Sequence, residues 1–467
     1  MKMWSGRFRQ PLDPEFERWQ RSFDFDQRLL THELAASSVH ARALRDTGVV
    51  SSDELITILQ GLEKIGELAA ASPAFLDDLE AEDVHHFVEK QLVALVGDAG
   101  YKLHSGRSRN EQIATDLRLY VRAAIDQLRS NLSEFGYVLV DCCRQAGDAV
   151  MPAYTHMQRA EPVLVAHWLL AYLEMFLRDA KRMGDCRRRL NVCPLGSGAV
   201  AGATLPLDRR AMAASLGFDG PTANSIDATS DRDFTLEFVN ALSILAMHLS
   251  RWAEEMILFS SQEFGFINLP EACSTGSSAM PQKKNPDLLE LTRGKAARVI
   301  GCATALLVTL KGLPLAYNKD LQETQKPLFD AADAMLSLLP LVTKWMKAAT
   351  FNYERMREAA QSGFMNAWAA ATYLVKRGVP FRLAHEQIGK AVQMCLEKQC
   401  ELQELSLEEL QSLNPVFDRD FFECLTLESV LSIHDVAGGT APVRVQQALT
   451  AAEQRIKSIC EEEHAHA

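Results

Sequence analysis

Apolar residues recur every three or four positions along much of the chain, which is the spacing of one face of an α-helix. The longest such pattern covers residues 113–150 without a proline, and a helix of about 38 residues would extend for ~57 Å. Similar patterns cover residues 163–190, 227–259, 287–310 and 327–359. Five long helices with short connections predict an elongated all-α bundle.

Several of these helices are apolar on more than one face, as in the run of Trp, Leu, Leu, Ala, Tyr and Leu at residues 168–173. A helix with this pattern is usually buried on all sides. The simplest interpretation is therefore a structural core. Because the helices are so long, we expect much of that core to be an interface between subunits.

The pattern divides the chain into three predicted helical domains, at residues 1–108, 109–360 and 361–467. The first opens on the string WSGRF, at Trp4 to Phe8, and in it Gly48 ends one helix before Ser51 caps the next. The central domain holds the five long helices. The third has shorter helices, with residues 405–413 predicted as one of them.

Composition narrows the possible functions. The 467 residues carry 49 Lys and Arg against 61 Asp and Glu, a formal net charge of −12. Such a protein is a poor candidate for binding nucleic acid or an anionic membrane, and a site for an anionic substrate must be positive locally. The ten cysteines show no CxxC pair and no zinc-type spacing. Residues 1–10, MKMWSGRFRQ, do not have the apolar core of a signal peptide, and no uncharged apolar run approaches ~20 residues. We expect a cytoplasmic protein with reduced thiols and no metal site.

The most informative stretch is residues 276–287, which reads GSSAMPQKKNPD. Gly276 allows a backbone turn whose exposed N–H groups can bind an anion, and two lysines and Asn285 add further donors. This composition suits a mobile loop that closes over a carboxylate and presents a serine hydroxyl. The alternative is a solvated basic loop before a helix that starts near Pro286.

The full string closely resembles the signature of the fumarase/aspartase superfamily, and within it the branch of argininosuccinate lyases and δ-crystallins. The triplet of Gln282, Lys283 and Lys284 is typical of that branch. At the position of Gln282, adenylosuccinate lyases tend to have His, and fumarases and aspartases have Gly. The resemblance covers essentially the whole chain and is weakest in its C-terminal part.

Three other strings strengthen the resemblance. Residues 104–110, HSGRSRN, resemble the HTGRSRN motif of the branch, although alone they would equally suit a helix N-cap with solvated charges. Residues 152–162, PAYTHMQRAEP, resemble the family string GYTHLQRAQP, which carries a catalytic histidine; alone, His156 would more simply be structural. Residues 316–323, AYNKDLQE, match the family string. By contrast, the glycine-rich residues 194–202 lack the βαβ context of a nucleotide-binding loop.

The resemblance implies cleavage of argininosuccinate into arginine and fumarate, an elimination across a C–N bond. A base removes a proton from the carbon next to a carboxylate, and preorganised donors stabilise the charge that develops. An acid then protonates the leaving guanidino nitrogen. Neither step needs a metal or an organic cofactor, so we expect none.

From the resemblance we assign Ser277 as the base, stabilised by Lys283 and by closure of the loop. His156 is the acid or its water-linked relay, and Glu290 is its partner, which would hold it charged. The reverse assignment, with His156 as the base and Ser277 as the proton donor, remains open at this point.

The resemblance also implies a set of substrate contacts: Ser22, Asn110, Thr155, Asn285, Tyr317 and Gln322, with Arg109 as a further candidate beside Asn110. The chain departs from the family after residue 323, because the family lysine aligns with Gln325 and the nearest cation is Lys326. Lys326 precedes Pro327, and a residue before proline is disfavoured in a helix. We therefore predict that Gln325 and Lys326 lie in a connecting loop, where Lys326 takes over the carboxylate contact.

In the family the protein is a homotetramer whose active sites draw on three subunits, which we expect here as well. Two alternatives remain. One is another lyase of the superfamily that releases fumarate, such as an adenylosuccinate lyase. The other is a non-catalytic structural protein, since δ-crystallins share this fold.

Overall fold

A computed structural model describes the backbone of residues 10–466 and the side chains as far as Glu461. The WSGRF string lies outside the described residues. The α-helices are α1 Pro14–Gln20, α2 Phe23–Asp26, α3 Leu30–Asp46, α4 Ser52–Ala71, α5 Val84–Val96, α6 Asp98–Lys102, α7 Arg109–Ala146, α8 Val165–Leu190, α9 Arg209–Ser215, α10 Ser225–Ser230, α11 Asp233–Ser260, α12 Asp287–Leu310, α13 Gln325–Ala348, α14 Tyr353–Ala360, α15 Ala367–Lys376, α16 Phe381–Lys398, α17 Leu407–Leu413, α18 Phe421–Cys424, α19 Leu427–Ser432 and α20 Pro442–His466. Short 3-10 helices cover Gln27–Leu29, Pro73–Leu76, Glu271–Cys273, Lys319–Thr324 and Leu402–Glu404.

Helix dominates the described chain, which confirms the predicted all-α class. None of these helices combines the length and the apolar character that a membrane span requires. The predicted long helices correspond to α7, α8, α11, α12 and α13, and the helix predicted at residues 405–413 is α17. The division into three domains at residues 108 and 360 remains a prediction.

Two predictions about these elements were wrong. The pattern over residues 327–359 is two helices, because the chain becomes extended at Thr350–Phe351 and Asn352 then caps α14 by accepting the N–H of Arg355. The segment between α7 and α8 is a β-hairpin, where the sequence suggested only a connection. Each interruption is a strand that pairs with another strand: Thr350–Phe351 pairs with Ile267–Asn268, and the two strands of the hairpin pair with each other. The helical period of a sequence does not indicate such pairing.

Strands are short and occur in pairs in the part of the chain that the structure describes. β1 Val150–Thr155 and β2 Gln158–Leu164 form the antiparallel hairpin, and β3 Val192–Cys193 and β4 Gly220–Pro221 are parallel. β5 Ile267–Asn268 pairs antiparallel with β8 Thr350–Phe351, and β6 Thr275–Gly276 pairs antiparallel with β7 Lys284–Asn285.

The chain divides into two compact units. Unit 1 contains the residues up to Leu128 together with Lys181–Ile244 and Ala297–Leu336. In it α3 packs on α4 and α4 on α5, around fully buried side chains such as Ile58 and Phe87. A capping box between Ser51 and Glu54 starts α4, as the sequence predicted, because it satisfies backbone N–H groups at the start of the helix.

Unit 2 contains Arg129–Ala180, Leu245–Ala296 and Ser337–Ala467. Trp252 and Trp345 are fully buried there, with their rings edge to face and 5.3 Å between centroids. A second cluster lies around α15 and α16, where Phe417 and Phe421 pack against Tyr373. These rigid parts of unit 2 carry the hairpin and the loop described next.

Candidate active site

The signature loop of residues 276–287 is closed at its base by the β6–β7 pair. Thr275 donates its hydroxyl to Asp287 Oδ2 at 2.6 Å, and Asn285 Nδ2 approaches Thr275 Oγ1 at 3.3 Å. These contacts hold the two ends of the loop together, with Asp287 and Asn285 at one end and Thr275 at the other. The loop between them is half-buried to exposed, as expected for a segment that contacts substrate.

Ser277 begins a tight turn inside this loop. Its Oγ accepts the backbone N–H groups of Ala279 at 3.2 Å and of Met280 at 3.1 Å. Two N–H groups aimed at one oxygen are an arrangement that stabilises negative charge on it. Such hydrogen bonds also occur in ordinary serine turns, so the role of Ser277 as the base stays a prediction.

The structure distinguishes the two loop lysines, which the sequence did not. Lys284 donates to the carbonyl of Leu269 at 3.2 Å and lies 3.8 Å from Glu271 Oε1. Lys283 is exposed, and within the described residues its ammonium contacts no acid or carbonyl group. Lys283 is thus the lysine available to bind an anion.

His156 lies at the tip of the β1–β2 hairpin. His156 and Met157 both have positive φ, +52° and +60°, as in the two-residue turns whose twist matches paired strands. Thr155 pairs with Gln158 across the turn. A turn of this type directs the side chains of His156 and Met157 outward. His156 is exposed, as is the neighbouring Thr155.

Contacts within unit 2 fix the hairpin. The ring of Tyr154 packs on Phe259 and Phe264 at centroid distances of 6.0 and 5.6 Å. On the other strand, Arg159 Nη1 donates to Ser362 Oγ at 2.7 Å. His156 is therefore carried on a rigid support rather than on a free loop.

Glu290 lies in the first turn of α12 and is exposed, with Arg293 as its nearest cation at 3.9 Å. No hydrogen bond or ion pair of the described residues joins His156 to Glu290 or to Ser277. The structure thus brings Ser277, Lys283, Asn285 and Glu290 together on one loop and helix. It leaves the histidine on a separate hairpin.

The remaining candidates belong to unit 1. Asn110 is half-buried in the first turn of α7, and its backbone N–H donates to Ser108 Oγ at 3.3 Å. Next to it, Arg109 Nη1 lies 3.1 Å from both Glu82 Oε2 and Asp83 Oδ2. These ion pairs assign Arg109 to holding the segment in place and leave the amide of Asn110 as the better candidate for a substrate contact.

Ser22 is buried directly before α2. Its hydroxyl donates to Asp26 Oδ2 at 2.6 Å, and its N–H donates to the carbonyl of Glu82 at 2.9 Å. Burial and the charge of Asp83 raise the pKa of Asp26 to about 7, although the hydrogen bond from Ser22 opposes this shift.

Glu82 and Asp83 connect these segments, because Lys319 Nζ also lies 3.6 Å from Glu82 Oε1. The two acids contact groups from three separate segments, and no local pattern in the sequence predicted these contacts.

Tyr317 and Gln322 lie between α12 and α13. Ala316, just before Tyr317, has a φ of +66°, and Gln322 Nε2 donates to the carbonyl of Gln20 at 3.0 Å. Burial raises the pKa of Tyr317, against the charge of Arg232. Arg232 itself is fully buried, and burial lowers its pKa to about 10.

The prediction that Gln325 and Lys326 lie in a connecting loop was wrong. Both lie in the first turn of α13, which a 3-10 helix at Lys319–Thr324 leads into directly. Pro327 fits there because the first N–H groups of a helix have no partner inside it. Gln325 is buried and its Oε1 has no hydrogen-bond partner among the described residues, whereas Lys326 is exposed with Nζ 4.9 Å from the ring centre of Phe25.

Comparisons with known proteins identify the family of this chain. A family model described as lyase matches residues 6–301, and one described as argininosuccinate lyase C-terminal matches residues 364–432. A protein named argininosuccinate lyase from Acidobacterium capsulatum is 59% identical over 460 residues, covering 97% of this chain and 95% of the relative. Another of that name, from Koribacter versatilis, is 57% identical over 467 residues and covers 100% of both chains.

Solved structures give the same fold. A variant of EDDS lyase with bound fumarate has a TM-score of 0.83 at 26% identity, covering 97% of this chain and 92% of that one. A class II fumarase from Schistosoma mansoni has a TM-score of 0.74 at 17% identity, covering 85% of this chain and 90% of that one. The second likeness shows the fold alone.

Proposed function

The chain belongs to the argininosuccinate lyases of the fumarase/aspartase superfamily, and from this we infer that it is a carbon–nitrogen lyase that cleaves L-argininosuccinate reversibly into L-arginine and fumarate. The observation that carries this conclusion is full-length identity of 57–59% to proteins of that name, together with the matched C-terminal model. The reaction would complete arginine biosynthesis, in the cytoplasm. The ten cysteines of the described chain are all free thiols, which suits a reducing compartment.

One assay tests the activity against its alternatives. Purified protein is incubated separately with argininosuccinate, adenylosuccinate and malate, and the absorbance of fumarate is followed. We expect fumarate from argininosuccinate alone. Release from another substrate would indicate a different lyase of the superfamily, and no release from any would indicate a structural protein.

In the proposed mechanism Ser277 removes the proton next to the substrate carboxylate. The N–H groups of Ala279 and Met280 and the ammonium of Lys283 would stabilise Ser277 as the alkoxide that accepts this proton, which leaves the serine neutral until it loses the proton to solvent. Asn285, at the base of the same loop, would hold the carboxylate on which charge develops. His156, beside Thr155, then supplies the proton to the leaving guanidino nitrogen, and Glu290 keeps it charged.

We propose that unit 1 supplies the other substrate contacts, at Ser22, Asn110, Tyr317, Gln322 and Lys326. Lys326 is exposed, lies against Phe25 next to the segment of Ser22, and has no acid partner among the described residues. These properties support a contact between Lys326 and a substrate carboxylate, even though Lys326 lies in a helix and not in the predicted loop.

Substitution of Lys326 by alanine should raise KM and lower kcat/KM by about one to two decades, the scale of a charge-assisted hydrogen bond. The matched control is Gln325→Ala, which should cost clearly less. Steady-state kinetics with argininosuccinate measures both. If Gln325→Ala is the more damaging change, the buried glutamine holds the carboxylate as a neutral donor.

His156→Asn and Glu290→Gln should each lower kcat, and together they should lose less than the product of the two losses, because they act as one unit. Glu254→Gln is the control, since Glu254 is an exposed acid that pairs with Arg293 near Glu290 and should keep normal kcat. If the loss of kcat in the double variant equals the product of the two single losses, His156 and Glu290 act independently.

We further propose a homotetramer with shared active sites. Helix α12 exposes apolar side chains without a covering element in the described chain: Leu291, Ile300, Leu307 and Val308. Small residues, Gly294, Ala297, Gly301 and Ala305, are exposed on the same helix and would let a second helix approach closely. Exposed apolar side chains along so long a helix are typical of a subunit interface.

A further inference from the structure

A buried polar cluster lies in unit 1 behind the segment that carries Asn110. It consists of Glu33, His85 and Asp116, which are 0%, 4% and 0% exposed. One oxygen or nitrogen of each residue lies within 4.8 Å of the other two. None of the three has a role in the proposed mechanism.

The Glu33 carboxylate has three hydrogen-bond partners and, with about four acceptor sites, can accept one more. Its Oε2 lies 2.9 Å from His85 Nδ1, and its Oε1 accepts from Ser37 Oγ at 2.5 Å and from Gln112 Nε2 at 3.0 Å. Arg107 Nη2 is 3.7 Å away. Burial opposes ionisation of Glu33, but the charges of His85 and Arg107 and these hydrogen bonds outweigh it and lower its pKa.

Asp116 has the opposite environment. Within the described residues neither of its carboxylate oxygens has a hydrogen-bond donor, and the nearest cationic nitrogen, His85 Nδ1, is 3.7 Å away and already bonded to Glu33. An ionised carboxylate without donors is costly to bury. Burial therefore raises the pKa of Asp116, and the Glu33 charge raises it further.

We propose that Asp116 is a neutral carboxylic acid whose O–H donates to Glu33. This pair of carboxyl groups, which share one proton, positions the two segments of unit 1 that contain Ser22 and Asn110. No bond is made or broken in the reaction cycle, because the shared proton stays between the two carboxyl groups. Asp116 and Glu33 are thus positioning residues. This inference rests on the proposed function for its kinetic consequences only.

Hydrogen bonds connect the cluster to both segments. On one side, Arg107 Nη1 donates to Ser37 Oγ at 2.9 Å and His40 Nε2 lies 2.9 Å from the carbonyl of Ser105, which fixes the turn before Asn110.

On the other side, Asp26 accepts the N–H of Val84, next to His85, at 3.0 Å and the hydroxyl of Ser22 at 2.6 Å. The cluster thus ends at Ser22 and at the Asn110 segment, both proposed substrate contacts. It contacts none of the residues assigned to proton transfer.

A divalent cation is the competing occupant for two carboxyl groups and a histidine. The charges around the cluster disfavour a metal cation. Arg107 Nη2 lies 3.7 Å from Glu33 Oε1, and the charge of Glu33 raises the pKa of His85 against the effect of burial. Burial lowers the pKa of His40 to about 3 and that of His104 to about 4, so these two add no charge. The charges of the acids Asp26 and Asp83 also act on His85.

Three variants test the proposal in the full-length enzyme. Asp116→Asn keeps a neutral donor and should leave KM and kcat within about twofold of wild type. Asp116→Leu removes the donor and Glu33→Gln removes the charged acceptor; each should raise KM roughly tenfold, the scale of a lost charge-assisted hydrogen bond, with kcat changed much less. A merely destabilised protein would instead lose active enzyme and keep its KM.

Infrared difference spectroscopy between wild type and Asp116→Asn at neutral pH gives a readout independent of catalysis and of any failure of the leucine variant to fold. We expect the carbonyl stretch of a protonated carboxylic acid in the wild-type spectrum and its loss in the variant. The proposal is overturned by absence of this band, by a KM in Asp116→Asn as high as in Glu33→Gln, or by one equivalent of divalent metal in dialysed wild type that the variant lacks. Failure of wild type to release fumarate would refute the proposed function instead.

Discussion

Replacement of Ser277 by alanine is expected to lower kcat for argininosuccinate at least about a hundredfold, the usual scale for a positioned proton-transfer group. The hydroxyl accepts two backbone N–H groups in its turn, and these would stabilise the alkoxide form that takes the proton. Alanine removes the oxygen that we assign as the base. Steady-state assays of fumarate release measure the effect.

The fold should survive this change, since substitution at a half-exposed loop position contributes little to stability, and circular dichroism and thermal unfolding should match wild type. The matched control is Ser278→Ala, which removes the neighbouring exposed hydroxyl from the same loop and should keep kcat within about threefold of wild type. Near-normal turnover in Ser277→Ala would remove Ser277 from the mechanism. An equal loss in both variants would point to loop geometry instead.

Mixing two inactive proteins should restore activity. His156→Asn and Ser277→Ala chains, combined in equal amounts and allowed to exchange subunits, should regain about a quarter of the wild-type sites if each site takes its histidine and its serine from different copies of a symmetric oligomer. Each residue is then intact with a probability of about one half, and the two probabilities multiply. No hydrogen bond or ion pair of the described residues joins the His156 hairpin to Ser277, and this motivates the expectation.

The control is a chain that carries both substitutions, mixed with His156→Asn, because no copy in that mixture has the histidine. It should stay inactive under the same exchange conditions. Native mass spectrometry of isotope-labelled chains establishes that exchange has occurred. No rescue despite exchange, or a monomer by light scattering, would contradict shared sites.

Local patterns predicted much of the fold because helices are stabilised by contacts between residues close in sequence. The 3.6-residue period found the long helices, and Ser51 and Asp83 marked helix starts through capping that involves only neighbours. The same period failed at residues 349–352, where a strand pairs with a partner about 80 positions earlier. It failed also at the β1–β2 hairpin, whose turn consists of two non-glycine residues with positive φ.

The sequence alone determined the helical class, the family, and the identities of Ser277 and His156 as candidates for proton transfer, because motif and composition are properties of the chain. Tertiary structure alone decided that Lys284 is occupied while Lys283 is available, that Arg109 is held by two acids, and that α13 begins at Gln325. It also brought Glu33, His85 and Asp116 together from three helices. In each case the deciding partner is distant in sequence, and the environment of a charged group depends on which partners folding brings near it.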